Sequence, residues 1–320
     1  MFLRKKQGLK LFYASDVHGS ERCYLKFLNA AKFYGAQVLI LGGDLTGKAV
    51  VPIVQQSGHW KATFLGQPFD LTTETEVADL EKKVRFNGFY PYRTTPDEVV
   101  QMDQNAEYMK TIFDRLMKEA VERWIGLAHE RLHAIGASLY VIAGNDDEHY
   151  IDEVLQASDF VHFNDGTVSD VGTYQMIGFS YANPTPWDSP RELPEDQLYE
   201  RLAELANKLD PQRPAIFNLH VPPYNSKLDE APELKEDLSY VLIGGQPHFI
   251  PVGSKAIRRI IEERQPVLGL HGHIHESRAV SKVGRTLVIN PGSRYGEGIL
   301  DGALVTLGEK GVEAYQLVAG

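Results

Sequence analysis

The sequence predicts an α/β fold, and three observations carry that expectation. Short apolar runs alternate with longer amphipathic segments, as strands do with the helices that cover them. Glycine and proline mark segment boundaries, with Gly35 stopping one helical stretch and Pro96 opening another. After residue 278 the apolar runs recur at short intervals with Gly-bearing turns, the spacing of an antiparallel meander.

In chain order, LKLFYAS (9–15) reads as a buried strand, about 20–34 as a helix, and QVLILGG (37–43) as a second strand. A long helix begins near Thr95-Pro96, where proline suits the first helical position, and SLYVIAG (138–144) is the third strand. Later strands are expected at 173–180, 214–220, 266–272, 278–283, 286–290, 303–307 and 312–318. Far more chain separates the second and third strands than one crossover helix needs. Within it, 50–71 reads as two strands turning at Ser57-Gly58 and 73–86 as a helix. We therefore expect a single domain over 1–320 with an insertion, a β-hairpin plus helix, at about 48–96. The insertion would pack beside the functional site as a lid or an oligomer contact, with Phe86, Phe89, Tyr90 and Tyr92 in its packing. The segment 181–196, with Pro184, Pro186, Pro190 and Pro194, is expected to be a fixed surface loop.

Composition narrows the function classes. Of 320 residues, 43% are hydrophobic and 24% charged, the balance of an ordinary globular chain. A formal net charge of −10 disfavours nucleic acid as a partner, because its phosphates would be repelled. The one cysteine, Cys23, excludes an internal disulfide and suits a reducing compartment. No apolar run reaches membrane-spanning length and no leader pattern is seen, so a cytoplasmic protein without membrane contact is expected. Oligomeric state is left open.

Five short polar segments each follow an apolar strand: SDVH (15–18), GGD (42–44), GND (144–146), NLH (218–220) and HGHIH (271–275). Ligands of α/β sheets bind beyond the carboxyl ends of strands, so these segments are expected to converge. Singly, most are ordinary turn chemistry, and His220 an ordinary strand-end histidine. Three histidines in five residues have no such explanation, and alternate side chains of an extended segment point the same way. The candidate ligands are Asp16, His18, Asp44, Asn145, His220, His273 and His275. This oxygen and nitrogen set suits first-row divalent metals and is too rich in nitrogen for calcium.

A competing motif, His129-Glu130-Arg131-Leu132-His133, matches the H-E-x-x-H of zinc proteases. The apolar stripe Phe113, Met117, Val121, Trp124, Ala128, Leu132 and Ile135 puts both histidines on the opposite side of their helix, so solvated histidines are expected. Surface or hydrogen-bonded roles are expected for His59, His149, His162 and His248. Arg294 is open to the same role or to approaching a phosphate.

Asp16-x-His18, Gly43-Asp44, Gly144-Asn145, His220 and Gly272-His273-x-His275 resemble the five motifs of the calcineurin-like metallophosphoesterase superfamily. NPTPWDSPREL (183–193) and VINPGS (288–293) are further similar to the bacterial and archaeal Icc-like phosphoesterases. The resemblance implies a four-layer α/β/β/α sandwich of two mixed sheets. It implies two divalent ions (manganese, iron, zinc or nickel) bridged by Asp44. Asp16, His18 and His275 would bind one ion, and Asn145, His220 and His273 the other. The implied activity is that of a phosphodiesterase or phosphatase acting on a small phosphate ester, with direct attack on phosphorus by a hydroxide bridging the ions. A nuclease or cyclic-nucleotide phosphodiesterase is the alternative among enzymes, and a non-catalytic scaffold keeping the fold is the alternative outside them. Many members place a histidine directly after the motif asparagine and an aspartate three residues after the bridging one. Here those positions are Asp146 and Gly47. Asn145 and Asp146 are the candidate catalytic residues, with Asp147 and His149 as other substitutes for the missing acid.

Overall fold

The computed structural model describes residues 8–320. Strand β1 (Leu9–Ala14) leads into helix α1 (Glu21–Tyr34), whose first turn is capped by the Ser20 hydroxyl and whose end turns left-handed at Gly35 (φ 65°). The wholly buried β2 (Val38–Gly42) follows. Next come β3 (Val50–Gln56), β4 (His59–Phe64), β5 (Gln67–Leu71), α2 (Glu74–Phe86) and β6 (Tyr90–Thr94). Residues 50–71 thus form three strands, where two were expected. The unrecognised turn is Leu65-Gly66 (φ 50° and 73°), which repeats the left-handed pair Ser57-Gly58 (φ 53° and 82°) that a tight hairpin requires. Leucine at the first turn position hid it.

The long helix is also divided, into α3 (Pro96–Gln104) and α4 (Ala106–Leu132). Asn105 between them is extended (φ −132°), and its side-chain oxygen accepts the Tyr108 amide at 3.0 Å, restarting the helix. Then follow β7 (Ser138–Ile142), α5 (Ile151–Gln156), β8 (Val161–Phe163), β9 (Val168–Val171), β10 (Tyr174–Phe179), α6 (Glu195–Ala206) and β11 (Ala215–Leu219). Four short strands, β12 (Glu230–Pro232), β13 (Leu242–Ile243), β14 (Gln246–Pro247) and β15 (Phe249–Pro251), precede α7 (Lys255–Arg264). The chain ends with β16 (Leu268–Leu270), β17 (Ala279–Val283), β18 (Thr286–Asn290), β19 (Asp301–Leu307) and β20 (Val312–Ala319).

Two six-stranded sheets face each other. The first has the order β20-β19-β1-β2-β7-β8, parallel from β1 to β8 with β19 and β20 antiparallel. The second has the order β17-β18-β16-β11-β10-β9, parallel except for its two edges. The late strands are therefore not one meander. β17 and β18 close the second sheet, and the chain crosses after Asn290 to put β19 and β20 on the first. Periodicity reveals a strand but not the sheet it joins.

Tyr13, Ile40, Met176, Ile216 and Leu270 fill the space between the sheets. On the outer face of the first, Phe27 and Leu28 of α1 pack with Trp124 of α4; on that of the second, Leu198 and Leu202 of α6 pack with Ile257 and Ile261 of α7. The result is four layers, α/β/β/α. The four-stranded sheet β5-β4-β3-β6 lies outside them and, with α2, has its own small core of Ile53, Phe64, Val77 and Val84. Among the described residues no helix is long and apolar enough to cross a membrane.

Candidate metal centre

β1, β2 and β7 are interior strands of one sheet, and β11 and β16 of the other. The polar motif after each of these five runs into a common space. Main-chain bonds lock the loops together: Asp16 N–H to Gly43 O at 3.0 Å, His18 N–H to Asp44 O at 3.0 Å, and Gly272 N–H to His220 O at 2.8 Å. Asp16, His18, Asp44 and His273 all have left-handed backbones (φ 55°, 39°, 52° and 68°). Each costs roughly 1–2 kcal/mol for an L-residue, and such strain collects where side chains must be aimed. Close approach explains the motif glycines: a Cβ on Gly43 would lie 2.7 Å from His220 Nδ1, and one on Gly144 would strike the Asp44 carboxylate.

The donor atoms form two groups that could each hold a metal ion: Asp16, His18, Asp44 and His275, and Asp44, His220 and His273. Asp44 is common to both. Its Oδ2 lies 3.6 Å from His18 Nε2 and 3.4 Å from His220 Nε2. Asn145 joins the second group, its Oδ1 2.7 Å from His273 Nδ1 and 3.0 Å from His220 Nε2. His18 Nε2 and His275 Nε2 face each other at 3.2 Å, and His275 Nε2 is 3.5 Å from Asp16 Oδ1. All seven expected ligands are thus brought together.

Buried lone pairs and carboxylates that converge in one space shift one another's protonation. Burial opposes an imidazolium at His220, yet Asp44, Asp16 and the Gly42 carbonyl push it up to about 10. Burial also raises Asp44 to about 6 against the pull of His220. It lowers His18 and His273 to about 3, with neighbouring histidines adding to the effect. Asp16 is held below the usual carboxylate range because His275, His220 and His18 outweigh its burial. The opposed shifts at His220 and Asp44 mark a donor set whose carboxylates and lone pairs call for positive charge at their centre. These residues therefore fit a bound cation.

Several groups aim this set. His220 Nδ1 donates to Gly42 O at 2.8 Å, leaving Nε2 toward the centre. Asn145 Nδ2 donates to Ser189 Oγ at 2.9 Å, which fixes Oδ1 on the histidines. Asp147 accepts the Leu45, Thr46 and Gly144 amides and the Thr46 hydroxyl, tying the β2 loop to the β7 loop. Asp146 donates its main-chain N–H to Asp44 Oδ1 at 3.0 Å, while its carboxylate meets Lys48 Nζ at 2.8 Å. Gly47 has no room for a side chain, because a Cβ would strike the Gly88 carbonyl of the insertion. Tyr90 accepts the Gly47 amide at 2.7 Å and packs on Phe113 in the core of the first sheet's outer face, while Phe89 meets Phe64 edge-on inside the insertion. Phe86 instead lies beneath the Arg22 and Lys82 cations, and Tyr92 donates to Glu98 at 2.7 Å.

Sequence reasoning missed Lys48, Ser189, Arg191 and Tyr295. Tyr295 packs on His18 with ring centroids 4.6 Å apart. The 181–196 segment is more than surface: buried Arg191 anchors it to Asp147 O at 2.7 Å and to Asp152, placing Ser189 at the centre. Its similarity to a family motif was the available signal. Other candidates lie elsewhere. His129 and His133 are exposed, and neither belongs to a metal-holding group among the described residues. Arg294 is paired with Asp301 at 2.7 Å, His248 with Glu233 at 2.7 Å and His59 with Asp70 at 3.0 Å. His162 stacks on Tyr140, and His149 lies against Tyr181.

No family model matches the chain. It is 33% identical over 153 residues to "Uncharacterized protein MJ1162" of Methanocaldococcus jannaschii, a match covering 47% of this chain and 62% of that protein. One crystal structure superposes with a TM-score of 0.54 at 14% identity, covering 98% of each chain. The crystal structure of TT1561 of Thermus thermophilus superposes at 0.50 with 15% identity, also covering 98% of each. With the two facing mixed sheets and their outer helices, these likenesses show that the chain shares the four-layer α/β/β/α fold of those two structures.

Proposed function

We propose that the chain is a dinuclear metal-dependent phosphoric ester hydrolase. The observation that carries this reading is the sharing of Asp44 between two donor groups, the arrangement expected of a bridging carboxylate. Asp16, His18 and His275 would hold one ion, and Asn145, His220 and His273 the other. When bound, two divalent ions supply charge that offsets the phosphate's own and acidify a water toward neutral pH.

The chain's residues do the aiming. The Gly42 carbonyl fixes the His220 tautomer, and Ser189 fixes the Asn145 amide. Asn145 would ligate without adding negative charge, which would keep the centre receptive to an anion. Burial raises the Asp146 carboxyl, but Lys48 and Ser189 outweigh it and hold it below the usual range. Asp146 is therefore ionised at neutral pH and orients its neighbours instead of donating a proton. Substrates with good leaving groups are then favoured. The net charge of −10 supports a small phosphate ester over nucleic acid, and the single buried cysteine suits a cytoplasmic setting.

The test is a panel of aryl and alkyl phosphate monoesters and diesters, run on metal-free protein supplied with manganese, iron, zinc or nickel. We expect turnover with at least one metal and faster cleavage of aryl than alkyl esters. Two bound ions with no turnover of any substrate would favour a scaffold instead.

A further inference from the structure

We propose that Lys48 binds the substrate phosphate and biases this centre toward monoesters over diesters, an inference that rests on the phosphoesterase reading above. Lys48 stands where the β2 loop enters the insertion, with 58% of its side chain exposed and its Nζ 2.8 Å from Asp146 Oδ2. Asp146 is itself immobilised. Its N–H donates to Asp44 Oδ1 at 3.0 Å, and its Oδ1 accepts from Asn145 Nδ2 and Ser189 Oγ, each at 3.2 Å. Asp146 therefore links the ammonium, through its carboxylate, to Asp44, through its main-chain N–H, and is a positioning residue.

An ammonium has three donors. Asp146 takes one, and among the described residues no other hydrogen-bond partner meets Lys48. The Asp146 that holds it is bonded to Asp44 and Asn145, so the ammonium stands at the edge of the space the donor groups enclose. Nearby arginines are committed elsewhere: Arg278 and Arg294 to Asp301, and Arg191 to Asp152 and Asp165. A monoester presents three unesterified oxygens and up to two negative charges. A diester presents two such oxygens and one charge. A cation at the rim with free donors contributes more to the first.

Titration of the metal-loaded protein with inorganic phosphate reads this contact without turnover. Lys48→Met is expected to weaken phosphate binding by roughly 10- to 100-fold, the worth of one charge-assisted hydrogen bond, with the metal content unchanged. Lys48→Arg keeps the charge and is expected to recover most of the loss. In Lys48→Met, kcat/KM is expected to fall further for an aryl monoester than for an aryl diester. Unchanged phosphate affinity, or equal losses on the two esters, would overturn the proposal. If the wild-type protein loads metal yet neither binds phosphate nor cleaves either ester, it is the phosphoesterase reading that fails.

Discussion

Replacing Arg191 with methionine should unfasten the centre without touching a ligand. Arg191 is 1% exposed. Its guanidinium donates to Asp147 O at 2.7 Å, Glu148 O at 3.0 Å and both oxygens of Asp152 at 2.6 and 3.1 Å, and reaches Asp165 at 3.5 Å. Its main-chain N–H also donates to Asn145 O at 3.2 Å. Methionine would fill similar volume but strand two carboxylates and two carbonyls. Removing one partner of a buried ion pair costs about 3–5 kcal/mol. The Asp152 side chain is 26% exposed, so water recovers part of that cost. We expect the lower end, about 3 kcal/mol, measured as a shift of the urea midpoint at constant slope. Adding Asp165→Asn removes one stranded charge and should restore about 1 kcal/mol, appearing as a coupling in a double-mutant cycle. Metal affinity should fall as well, because the loop carrying Ser189 loses its anchor. A loss below about 1 kcal/mol would refute the assignment of Arg191 as the fastening of this loop.

Burial raises Asp165 to about 6 from 3.8, against Ser180 and Arg191. Between these values the folded chain keeps a proton the unfolded chain has released, so stability falls by about 3 kcal/mol as pH rises through the window. Asp165→Asn should flatten that slope in urea titrations at stepped pH; an unaltered slope would point to another group. Gly144→Ala drives a methyl group into the Asp44 carboxylate, so we expect a loss of roughly 1–3 kcal/mol in metal-free stability and a smaller rise in Tm on adding manganese. His129→Ala with His133→Ala should leave the metal content unchanged by elemental analysis, and loss of an ion would restore the protease-like motif as a site.

Much of the centre was legible because its signals are local. An apolar run ending in a polar motif marks a strand's carboxyl end, and five such ends supplied Asp16, His18, Asp44, Asn145, His220, His273 and His275 before any geometry was known. What supports them was not legible. Lys48 meets Asp146, and Ser189 meets Asn145, only because loops distant in sequence close over one another. The sequence displays Gly47 as an absence, whereas the fold shows the Gly88 carbonyl occupying the space a side chain would need. Fold errors have the same origin. Leu65 carries no turn signal, Asn105 interrupts an otherwise helical pattern with one side-chain cap, and the crossing after Asn290 leaves no periodic trace.

The central claim is that two ions share Asp44. Calorimetric titration of the metal-free protein with manganese, with electron paramagnetic resonance on the same samples, tests it most directly. We predict two ions per chain giving the spectrum of an exchange-coupled pair, and loss of that coupling in Asp44→Ala. One ion per chain, or two that remain magnetically isolated in the wild type, would contradict the account.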